Sequence, residues 1–354
     1  MRALAITTDG EAVHPGVIEL PEPRPSGTDL VVDGLLLGVC GTDRSLMTAG
    51  TDRFPDGGNR LVLGHESLGR VRHAPPGSRY SIGDLVVPVV RRPDPVPCAA
   101  CAAGDLDLCE NGRFIERGIR AGHGYGAEQY LLDENFAIPV GSLGLLGILI
   151  EPASIVAKAW ERLDPLVRRP GGRALILGAG PIGLLAALLG RNRGYDVHIV
   201  DRVSHGPKVS QSRALGATYH RGSDELEGRF DAVVECSGAF TSSVLDFMAP
   251  GAATCYIAHE HAPDTRAAAL TAATLSESLM RGNRAVVGVT SSSRSHFDTA
   301  QRELEQAPGE WLRGLITDVV PLERFEDAFG SGPDTIKAVI TLTDELGDEL
   351  YERR

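Results

Sequence analysis

Residues 173–189 read RALILGAGPIGLLAALL, in which a glycine-rich turn joins two apolar runs. The first run, Arg173–Leu177, has the length of a buried strand, and the Ala- and Leu-rich run after the turn predicts a helix. The turn between them matches the pattern G-x-G-x-x-G with Gly178-Ala179-Gly180-Pro181-Ile182-Gly183. This order of strand, turn and helix predicts a dinucleotide-binding unit; the alternative is a tight turn without a ligand.

Each glycine of this turn has a physical role in such a unit. The first permits the tight turn, the second lets the backbone approach a pyrophosphate, and the third lets the helix pack closely on the strand. The helix N-terminus then offers free N–H groups and a partial positive charge to the phosphates. We therefore expect NAD or NADP as the cofactor.

The choice between these cofactors depends on the end of the next predicted strand, Asp196–Val200, where Asp201 stands 18 residues after Gly183. A carboxylate here accepts hydrogen bonds from ribose hydroxyls, and its charge repels a 2′-phosphate. Arg202 acts in the opposite direction, because an arginine can stack on adenine or pair with that phosphate. We expect Asp201 to decide the preference, so the sequence predicts NAD over NADP.

The secondary-structure pattern of the chain changes along its length. Up to about residue 150, short β-branched runs such as residues 30–32, 61–63 and 85–90 alternate with Gly and Pro, which predicts an all-β body. From Glu151 onward, helical segments alternate with strands, which is typical of a parallel sheet with crossover helices. The last part returns to a mixed texture with a late strand at residues 337–342. The pattern predicts a β-rich domain into which an α/β domain is inserted.

Composition excludes several classes of protein. The chain has 354 residues, 42% of them hydrophobic and 23% charged, which excludes a wholly disordered chain, a collagen-like fibre and a disulfide-stapled miniprotein. Its formal net charge of −12 argues against a nucleic-acid partner, since duplex binding needs a basic face. Only three of the 35 basic residues are lysines, and this bias indicates nothing about chemistry: Lys158, Lys208 and Lys337.

The sequence also bears on the compartment. The longest apolar candidate, residues 143–150, is followed at once by Glu151 and is far shorter than the ~18 residues of a membrane span. The first residues, MRALAITTDGE, lack a signal-peptide apolar region. We therefore expect a cytoplasmic protein without a membrane partner, whose six cysteines are metal ligands or buried thiols rather than disulfides.

Three residue types suited to one metal ion occur in the chain. Cys40 and the pair His65-Glu66 lie 25 residues apart, and Glu151 begins the first helical segment. Thiolate, imidazole and carboxylate are the ligand types of a catalytic zinc that keeps one position open. Each residue alone is equally typical of a buried thiol, a core histidine or a surface acid. Their presence together, beside a dinucleotide turn, favours a metal site.

These motifs resemble those of a known enzyme family. GHESLG at residues 64–69, with GDLV at residues 83–86, resembles the zinc signature of the medium-chain dehydrogenase/reductase superfamily, and the similarity runs across essentially the whole chain. Within it, five stretches resemble the glucose 1-dehydrogenase branch known from archaea: VCGTDR (39–44), LGHE (63–66), ERGI (116–119), GHGY (122–125) and IEP (150–152).

The resemblance implies a fold and a set of site residues. The fold is a β-rich, GroES-like catalytic domain, residues 1–153 and 294–354, with an inserted Rossmann domain, a doubly wound parallel sheet, at residues 154–293. Cys40 and His65 match zinc ligands, and Glu66 and Glu151 match acids that bind the zinc directly or through water. Thr42 matches a hydroxyl that passes the substrate proton outward. Glu116 matches an acid that contacts sugar hydroxyls.

A second cysteine cluster allows two interpretations. Cys98, Cys101 and Cys109 lie in PCAACAAGDLDLC, where zinc-bearing relatives usually have four cysteines. A structural zinc is normally closed by four protein ligands, so Asp105 or Asp107 would have to complete the site. The alternative is a degenerate lobe with reduced thiols and no metal.

We therefore predict a zinc-dependent oxidoreductase that moves a hydride between a sugar or polyol hydroxyl and NAD(P), assembled as a homodimer or homotetramer. The alternatives are another secondary-alcohol dehydrogenase, a ketone reductase of a biosynthetic pathway, or a nucleotide-binding protein without catalysis. Relatives in the glucose branch tend to have an Asn-rich segment before an Arg and a His-Phe pair, whereas this chain reads SSSRSHF at residues 291–297. We predict that Ser293 contacts the substrate, and that a modified sugar, a cyclitol or a nucleoside-linked sugar is as good a candidate as glucose.

Overall fold

The N-terminal part consists of short strands, as its Gly- and Pro-rich texture predicts. The computed structural model describes residues 1–48, 51–55, 58–239, 243–258, 272–330 and 332–344. The strands of this part are β1 (Arg2–Thr8), β2 (Val13–Glu19), β3 (Asp29–Val39), β4 (Arg60–Val62), β5 (Glu66–His73), β6 (Leu85–Pro88), β7 (Arg91–Arg92), β8 (Ile115–Arg117), β9 (Ala121–Gly122), β10 (Gln129–Asp133) and β11 (Ala137–Pro139).

Short helices and turns connect these strands. The α-helices are α1 (Gly41–Leu46), α2 (Ala99–Ala103) and the longer α3 (Ile150–Leu163). The 3-10 turns are Thr51–Arg53, Leu106–Leu108, Glu134–Phe136 and Gly141–Leu149.

The middle of the chain forms a six-stranded parallel sheet in the order β14-β13-β12-β15-β16-β17. Its strands are β12 (Arg173–Leu177), β13 (Asp196–Val200), β14 (Thr218–His220), β15 (Phe230–Glu235), β16 (Met248–Tyr256) and β17 (Ala285–Gly288). Its helices are α4 (Pro181–Asn192), α5 (Pro207–Ala214), α6 (Val244–Phe247) and α7 (Ala272–Gly282), with a 3-10 turn at Ser223–Glu225. The strand order reverses at β12, so the crevice beside the end of β12 is where such sheets bind ligands.

The end of the chain returns to the N-terminal part. It consists of α8 (Arg294–Glu305), α9 (Gly309–Arg313), β18 (Ile316–Pro321), α10 (Phe325–Ala328) and β19 (Lys337–Thr341). Strand β19 pairs antiparallel with β3 and parallel with β18, so the two ends of the chain share one sheet. This arrangement confirms the predicted fold class, a β-rich body with an inserted doubly wound sheet. The predicted boundary at residue 153 falls inside α3, and the one at residue 293 falls just before α8.

Helix α3 lies in the largest hydrophobic core. Trp160 is fully buried there, and its Nε1 donates to the carbonyl oxygen of Ala186 in α4 at 3.1 Å. Together with the preceding 3-10 turn, α3 forms a helical run, Gly141–Leu163, that is long and apolar enough to cross a membrane by length and composition alone. The sequence alone predicts no run of that length, because Glu151 directly follows the apolar residues 143–150. Its most apolar stretch is 78% buried inside the protein, so the run is a helix of the hydrophobic core.

Candidate active site

Cys40 is positioned by the turn that begins α1. It directly follows β3 and caps the helix, with its Sγ accepting the N–H of Thr42 at 3.2 Å. The carboxylate of Asp43 accepts the N–H of Cys40 at 3.0 Å, which closes a reciprocal capping box. Such boxes satisfy helix N–H groups that would otherwise lack partners. The local sequence therefore fixes where the thiol lies.

His65 meets Cys40 from the bend between β4 and β5. Its Nε2 lies 3.2 Å from Sγ of Cys40, and its Nδ1 lies 3.4 Å from Oδ1 of Asp43. Gly64 before it has φ +97, and a Cβ there would come within 2.8 Å of the backbone nitrogen of Gly126. A side chain is therefore excluded at this position, and the close backbone approach holds the imidazole against the thiol. Two predicted ligands, Cys40 and His65, are thus brought together.

Asp43 is a member of this cluster to which the sequence analysis gave no role. Its side chain is 4% exposed and contacts both the Cys40 backbone and the His65 ring. Burial alone would lower the pKa of His65. The charges of Asp43 and Cys40 and their hydrogen bonds to the ring outweigh burial and raise this pKa well above its usual value. The signal was present, because Asp43 belongs to the quoted stretch VCGTDR. A carboxylate behind a ligating histidine orients the ring and fixes its tautomer.

Glu66 is paired with Lys337, a residue whose role the sequence does not indicate. Its Oε2 forms an ion pair with Nζ of Lys337, and both side chains are almost fully buried. The same ammonium donates to the carbonyl oxygen of Val39 at 3.1 Å. Lys337 begins β19, which lies beside β3, so the sheet pairing brings it next to Cys40. The available signal was a lysine, one of only three, at the start of the apolar strand KAVIT.

Glu151 lies in the first turn of α3 and is 6% exposed. Burial raises the pKa of Glu151 to about 8, and the charge of Glu66 adds to the shift. It lines the same cavity as Cys40, His65 and Glu66. All four predicted ligands of the catalytic zinc thus line one cavity, but the ligand atoms that lie within 4.8 Å of one another are those of Cys40, His65 and Asp43.

The donor set of this Cys40 cluster (Cys40, Asp43, His65, Glu66 and Glu151) fits a zinc ion. A thiol, an imidazole and carboxylates are the ligand types of catalytic zinc sites. Three buried carboxylates and the thiol share the site with one lysine ammonium. Metal ligands bind in their deprotonated forms, and in those forms the thiolate and the carboxylates carry more negative charge than one ammonium offsets. A bound cation would compensate that buried charge. Cys40 and His65 would hold the zinc, with Glu66 and Glu151 beside them.

The cluster opens into a cavity of about 350 Å³. On one side the cavity is lined by Thr42, Ser45 and Glu116 of the β-rich part. On the other side it reaches residues that directly follow strands of the parallel sheet: Cys236 after β15, Ile257 after β16 and Val289 after β17. The cavity therefore joins the Cys40 cluster to the carboxyl edge of the sheet.

The glycine turn (residues 178–183) has the geometry that a pyrophosphate requires. Gly178 has φ +103, and a Cβ on Gly183 would lie 1.8 Å from the carbonyl oxygen of Gly178, so neither position admits a side chain without strain. Gly180 caps α4 and has open space where a Cβ would point. Pro181 and Ile182 begin the helix, and Ile182 lines the cavity. The turn thus fits the pyrophosphate of a dinucleotide, and its Ile182 would lie between that pyrophosphate and the cavity.

Asp201 lies directly against this turn. Its Oδ2 accepts the N–H of Ala179 at 2.7 Å, and its Oδ1 accepts the N–H of Arg202 at 2.7 Å. Arg202 is exposed to solvent. The carboxylate is therefore held by backbone donors at the place where an adenosine ribose would bind, while the arginine side chain is left to solvent.

Of the two predicted substrate contacts, the structure places one in the cavity. Glu116 lines it, and its Oε1 accepts a hydrogen bond from Nη2 of Arg91 at 2.7 Å. Ser293 is buried, and its hydroxyl donates to Asp107 instead. The neighbouring serines 291 and 292 line the cavity. Ser293 is not among the lining residues, because it caps α8 and its hydroxyl is turned toward Asp107.

The cysteine lobe (residues 98–109) brings its three thiols together. The sulfur atoms of Cys98, Cys101 and Cys109 lie within 4.8 Å of one another. Cys98 accepts the N–H of Cys101 at 3.5 Å and of Glu110 at 3.4 Å, and these bonds lower the pKa of Cys98 to about 7. Asp107 is directed to Lys158 at 2.5 Å, so it does not complete the cluster. Both interpretations of the lobe, with and without zinc, stay predictions.

Comparison with known proteins gives a consistent result over nearly the whole chain. A family model described as "Alcohol dehydrogenase GroES-like domain" matches residues 26–142. A second, described as "Glucose dehydrogenase C-terminus", matches residues 144–342. The first covers the region of Cys40, His65 and the cysteine lobe, and the second covers Glu151, the glycine turn and Lys337.

Individual relatives cover the chain from end to end. Glucose 1-dehydrogenase of Methanocella arvoryzae is 34% identical over 97% of this chain and 99% of its own length. Glucose 1-dehydrogenase of Thermoproteus tenax is 35% identical over 96% of this chain and 99% of its own length. A solved structure of Haloferax mediterranei glucose dehydrogenase, in complex with NADP, Zn and gluconolactone, matches with a TM-score of 0.87 and 31% identity over 97% of this chain and 99% of that one.

Proposed function

This chain belongs to the glucose dehydrogenase branch of the zinc-dependent medium-chain dehydrogenase/reductase superfamily, and from that premise we propose that it oxidises a secondary hydroxyl of a sugar or sugar-derived polyol. As a member of this family it is a zinc-dependent, NAD(P)-dependent dehydrogenase. One observation carries the proposal: the Cys40–His65 pair faces a cavity that continues to the carboxyl edge of the dinucleotide sheet.

The residues around this cavity have separate roles in metal binding, in orienting the ligands and in cofactor binding. A bound zinc lowers the pKa of a hydroxyl group that it ligates and stabilises the negative charge on its oxygen. Cys40 and His65 would hold that ion, and Asp43 orients the imidazole. The parallel sheet would hold the dinucleotide, whose nicotinamide would serve as the hydride acceptor.

A path for the substrate proton leads from Thr42 to solvent. Thr42 lines the cavity, and the hydroxyl of Ser45 donates to the Thr42 carbonyl oxygen at 2.8 Å. Ser45 also lines the cavity and is exposed. Oγ1 of Thr42 would accept the proton of the substrate hydroxyl and release its own hydroxyl proton to water at the exposed side of the cavity, where Ser45 lies. Both side chains are placed by α1, the helix that also fixes Cys40.

The lining of the cavity favours a substrate with fewer free hydroxyls than glucose. Glu116 is already bound to Arg91, and Oγ of Ser292 shares a hydrogen bond with Oγ of Ser154 at 2.6 Å. Four side chains of the β-rich part and of α3 add an apolar surface: Val90, Ile119, Pro152 and Ile155. A hydroxyl placed against them would lose its bonds to water without replacement, and a buried unpaired hydroxyl costs free energy.

We therefore propose that a modified sugar with fewer free hydroxyls is preferred over glucose, with a cyclitol or a nucleoside-linked sugar as the alternatives. The test is kcat/KM for a panel that contains glucose, deoxy sugars, cyclitols and nucleoside-linked sugars, each with NAD and with NADP. We expect at least one such compound to exceed glucose. A kcat/KM for glucose above that of every other polyol contradicts the substrate proposal. Stoichiometric zinc with no turnover on any alcohol or carbonyl compound contradicts the enzymatic proposal.

A further inference from the structure

One short turn binds two buried basic side chains, and each of these in turn binds residues that line the cavity. The 3-10 turn Leu106–Leu108 belongs to the cysteine lobe and directly precedes Cys109. It is not itself among the residues that line the cavity. Its side chains and carbonyl groups nevertheless bind two buried cations, Lys158 and Arg91, each of which holds a part of the cavity wall.

The first cation is Lys158 on α3. Its Nζ lies 2.5 Å from Oδ2 of Asp107, and the two side chains are only 8% and 3% exposed. The same ammonium donates to the carbonyl oxygens of Thr290 at 3.0 Å and Ser291 at 3.3 Å. The hydroxyl of Ser293 donates to the other carboxylate oxygen of Asp107. Asp107 and Lys158 together thus bind three of the four residues of the pocket segment (residues 290–293).

The pocket segment needs such support because its backbone is strained. Ser291 has φ +55, the left-handed region that residues other than glycine rarely adopt. A conformation of this kind persists only where the surrounding structure holds it in place. The Lys158 ammonium on the Ser291 carbonyl supplies one restraint, and the hydrogen bond between Ser292 and Ser154 supplies another. Ser291 and Ser292 are the residues of this segment that face the cavity beside Thr290.

The second cation is Arg91, which holds the opposite wall. Its Nη1 donates to the carbonyl oxygens of Leu106 at 3.5 Å and Asp107 at 3.2 Å. Its Nη2 donates to Oε1 of Glu116 at 2.7 Å. The backbone of the same turn is therefore bound to the arginine that orients the cavity carboxylate.

We propose that Asp107 is a positioning residue through which the cysteine lobe holds the substrate cavity in shape. Its carboxylate fixes Lys158 and thereby the pocket segment, while its carbonyl helps to place Arg91 and thereby Glu116. The inference rests on the proposed function, because its kinetic test needs an alcohol that the enzyme oxidises. It predicts that neutralising Asp107 weakens the use of the alcohol without weakening the binding of the dinucleotide.

The kinetic test compares three variants: Asp107→Asn, Lys158→Met and the double variant that carries both. We expect each single variant to lose about 10²-fold in kcat/KM for the alcohol, mostly through KM, because a displacement of about 1 Å in a binding wall has an effect of this size. The double variant should lose no more than either single one, since both act through the same contact. Asp107→Glu should restore most of the activity that Asp107→Asn loses.

Two measurements separate positioning from a general loss of structure. The Kd for NADH and the zinc content of each variant should equal those of the wild type. Amide hydrogen exchange in residues 289–297 of the ligand-free protein should accelerate in Asp107→Asn. Glu110→Gln is the matched control, an exposed acid of the same lobe that loses its charge; we expect wild-type kinetics and exchange from it.

The double variant also protects the test against a failure to fold, because it leaves no uncompensated buried charge. A double variant with wild-type KM and wild-type exchange overturns the proposal. Additive losses in the two single variants overturn it as well, since they would mean independent actions. A wild type that oxidises no alcohol contradicts the proposed function instead, and the exchange experiment then decides the positioning role alone.

Discussion

The Cys40 cluster and the glycine turn differ in how the chain assembles them. The Cys40 cluster draws residues from positions 40, 43, 65, 66 and 151, and its Glu66 reaches Lys337 through the pairing of β3 with β19. The glycine turn consists of six consecutive residues whose geometry follows from φ +103 at Gly178 and the tight contact at Gly183. One site is thus a product of tertiary structure and the other of local backbone. The difference predicts that a substitution can abolish either site and spare the other.

The largest effect is expected at the metal ligands. Cys40→Ala and His65→Ala should each remove the zinc and lower kcat by about 10³-fold or more, because the ion supplies several kcal/mol of charge stabilisation. Dinucleotide binding, measured as a Kd for NADH, should stay intact in both variants. Cys255→Ala is the matched control, since this thiol is buried in β16 and does not line the cavity. Zinc content unchanged in both ligand variants would refute the assignment.

A smaller effect is expected at the lysine that joins the two ends of the chain. Lys337→Met leaves Glu66 buried without its ammonium partner, and removal of one member of such a pair costs about 3 kcal/mol. The free energy of unfolding from denaturant titration should fall by that amount. The double variant Glu66→Gln with Lys337→Met should recover much of the loss, because it carries no uncompensated charge. If the double variant is less stable than Lys337→Met, the ion pair is not the cause.

The glycine turn allows a matched pair of substitutions. Gly183→Ala places a Cβ 1.8 Å from a backbone oxygen, so we expect a loss of about 2 kcal/mol in stability and weaker NADH binding. Gly180→Ala meets open space and should leave stability nearly unchanged, yet weaken NADH binding because the backbone no longer approaches the pyrophosphate. Zinc content should be unaffected in both. Equal melting temperatures for the two variants would contradict this distinction.

The same contrast explains what the sequence could predict. The glycine turn, Asp201 and the inserted parallel sheet follow from local order and periodicity, and the structure places them where expected. Cys40 and His65 were found because each lies in a short motif of its own. Lys337 and Lys158 were missed, since a buried lysine is recognised by its partner, and those partners lie 271 and 51 residues away. Ser293 was expected in the cavity and lies beside Asp107, because the start of α8 sets its direction.

The smallest effect is expected at Asp201, which lies against the glycine turn and bears on the choice between NAD and NADP. We propose that NAD is preferred, because the Asp201 carboxylate lies at 2.7 Å from the N–H of Ala179, at the place where a 2′-phosphate would bring a second negative charge. Arg202 is exposed, so its attraction for that phosphate is screened by water. Asp201→Asn should lower the ratio of kcat/KM for NAD to that for NADP about tenfold, or about 1.4 kcal/mol.

The measurement compares kcat/KM for both cofactors in the wild type, in Asp201→Asn and in Asp224→Asn, an exposed acid beyond the next strand that should leave the ratio unchanged. Zinc content should be the same in all three proteins, because the carboxylate belongs to the cofactor region and not to the Cys40 cluster. NADP equal to or better than NAD in the wild type overturns the preference. A ratio that Asp201→Asn leaves unchanged shows instead that another group, with Arg202 the first candidate, discriminates between the cofactors.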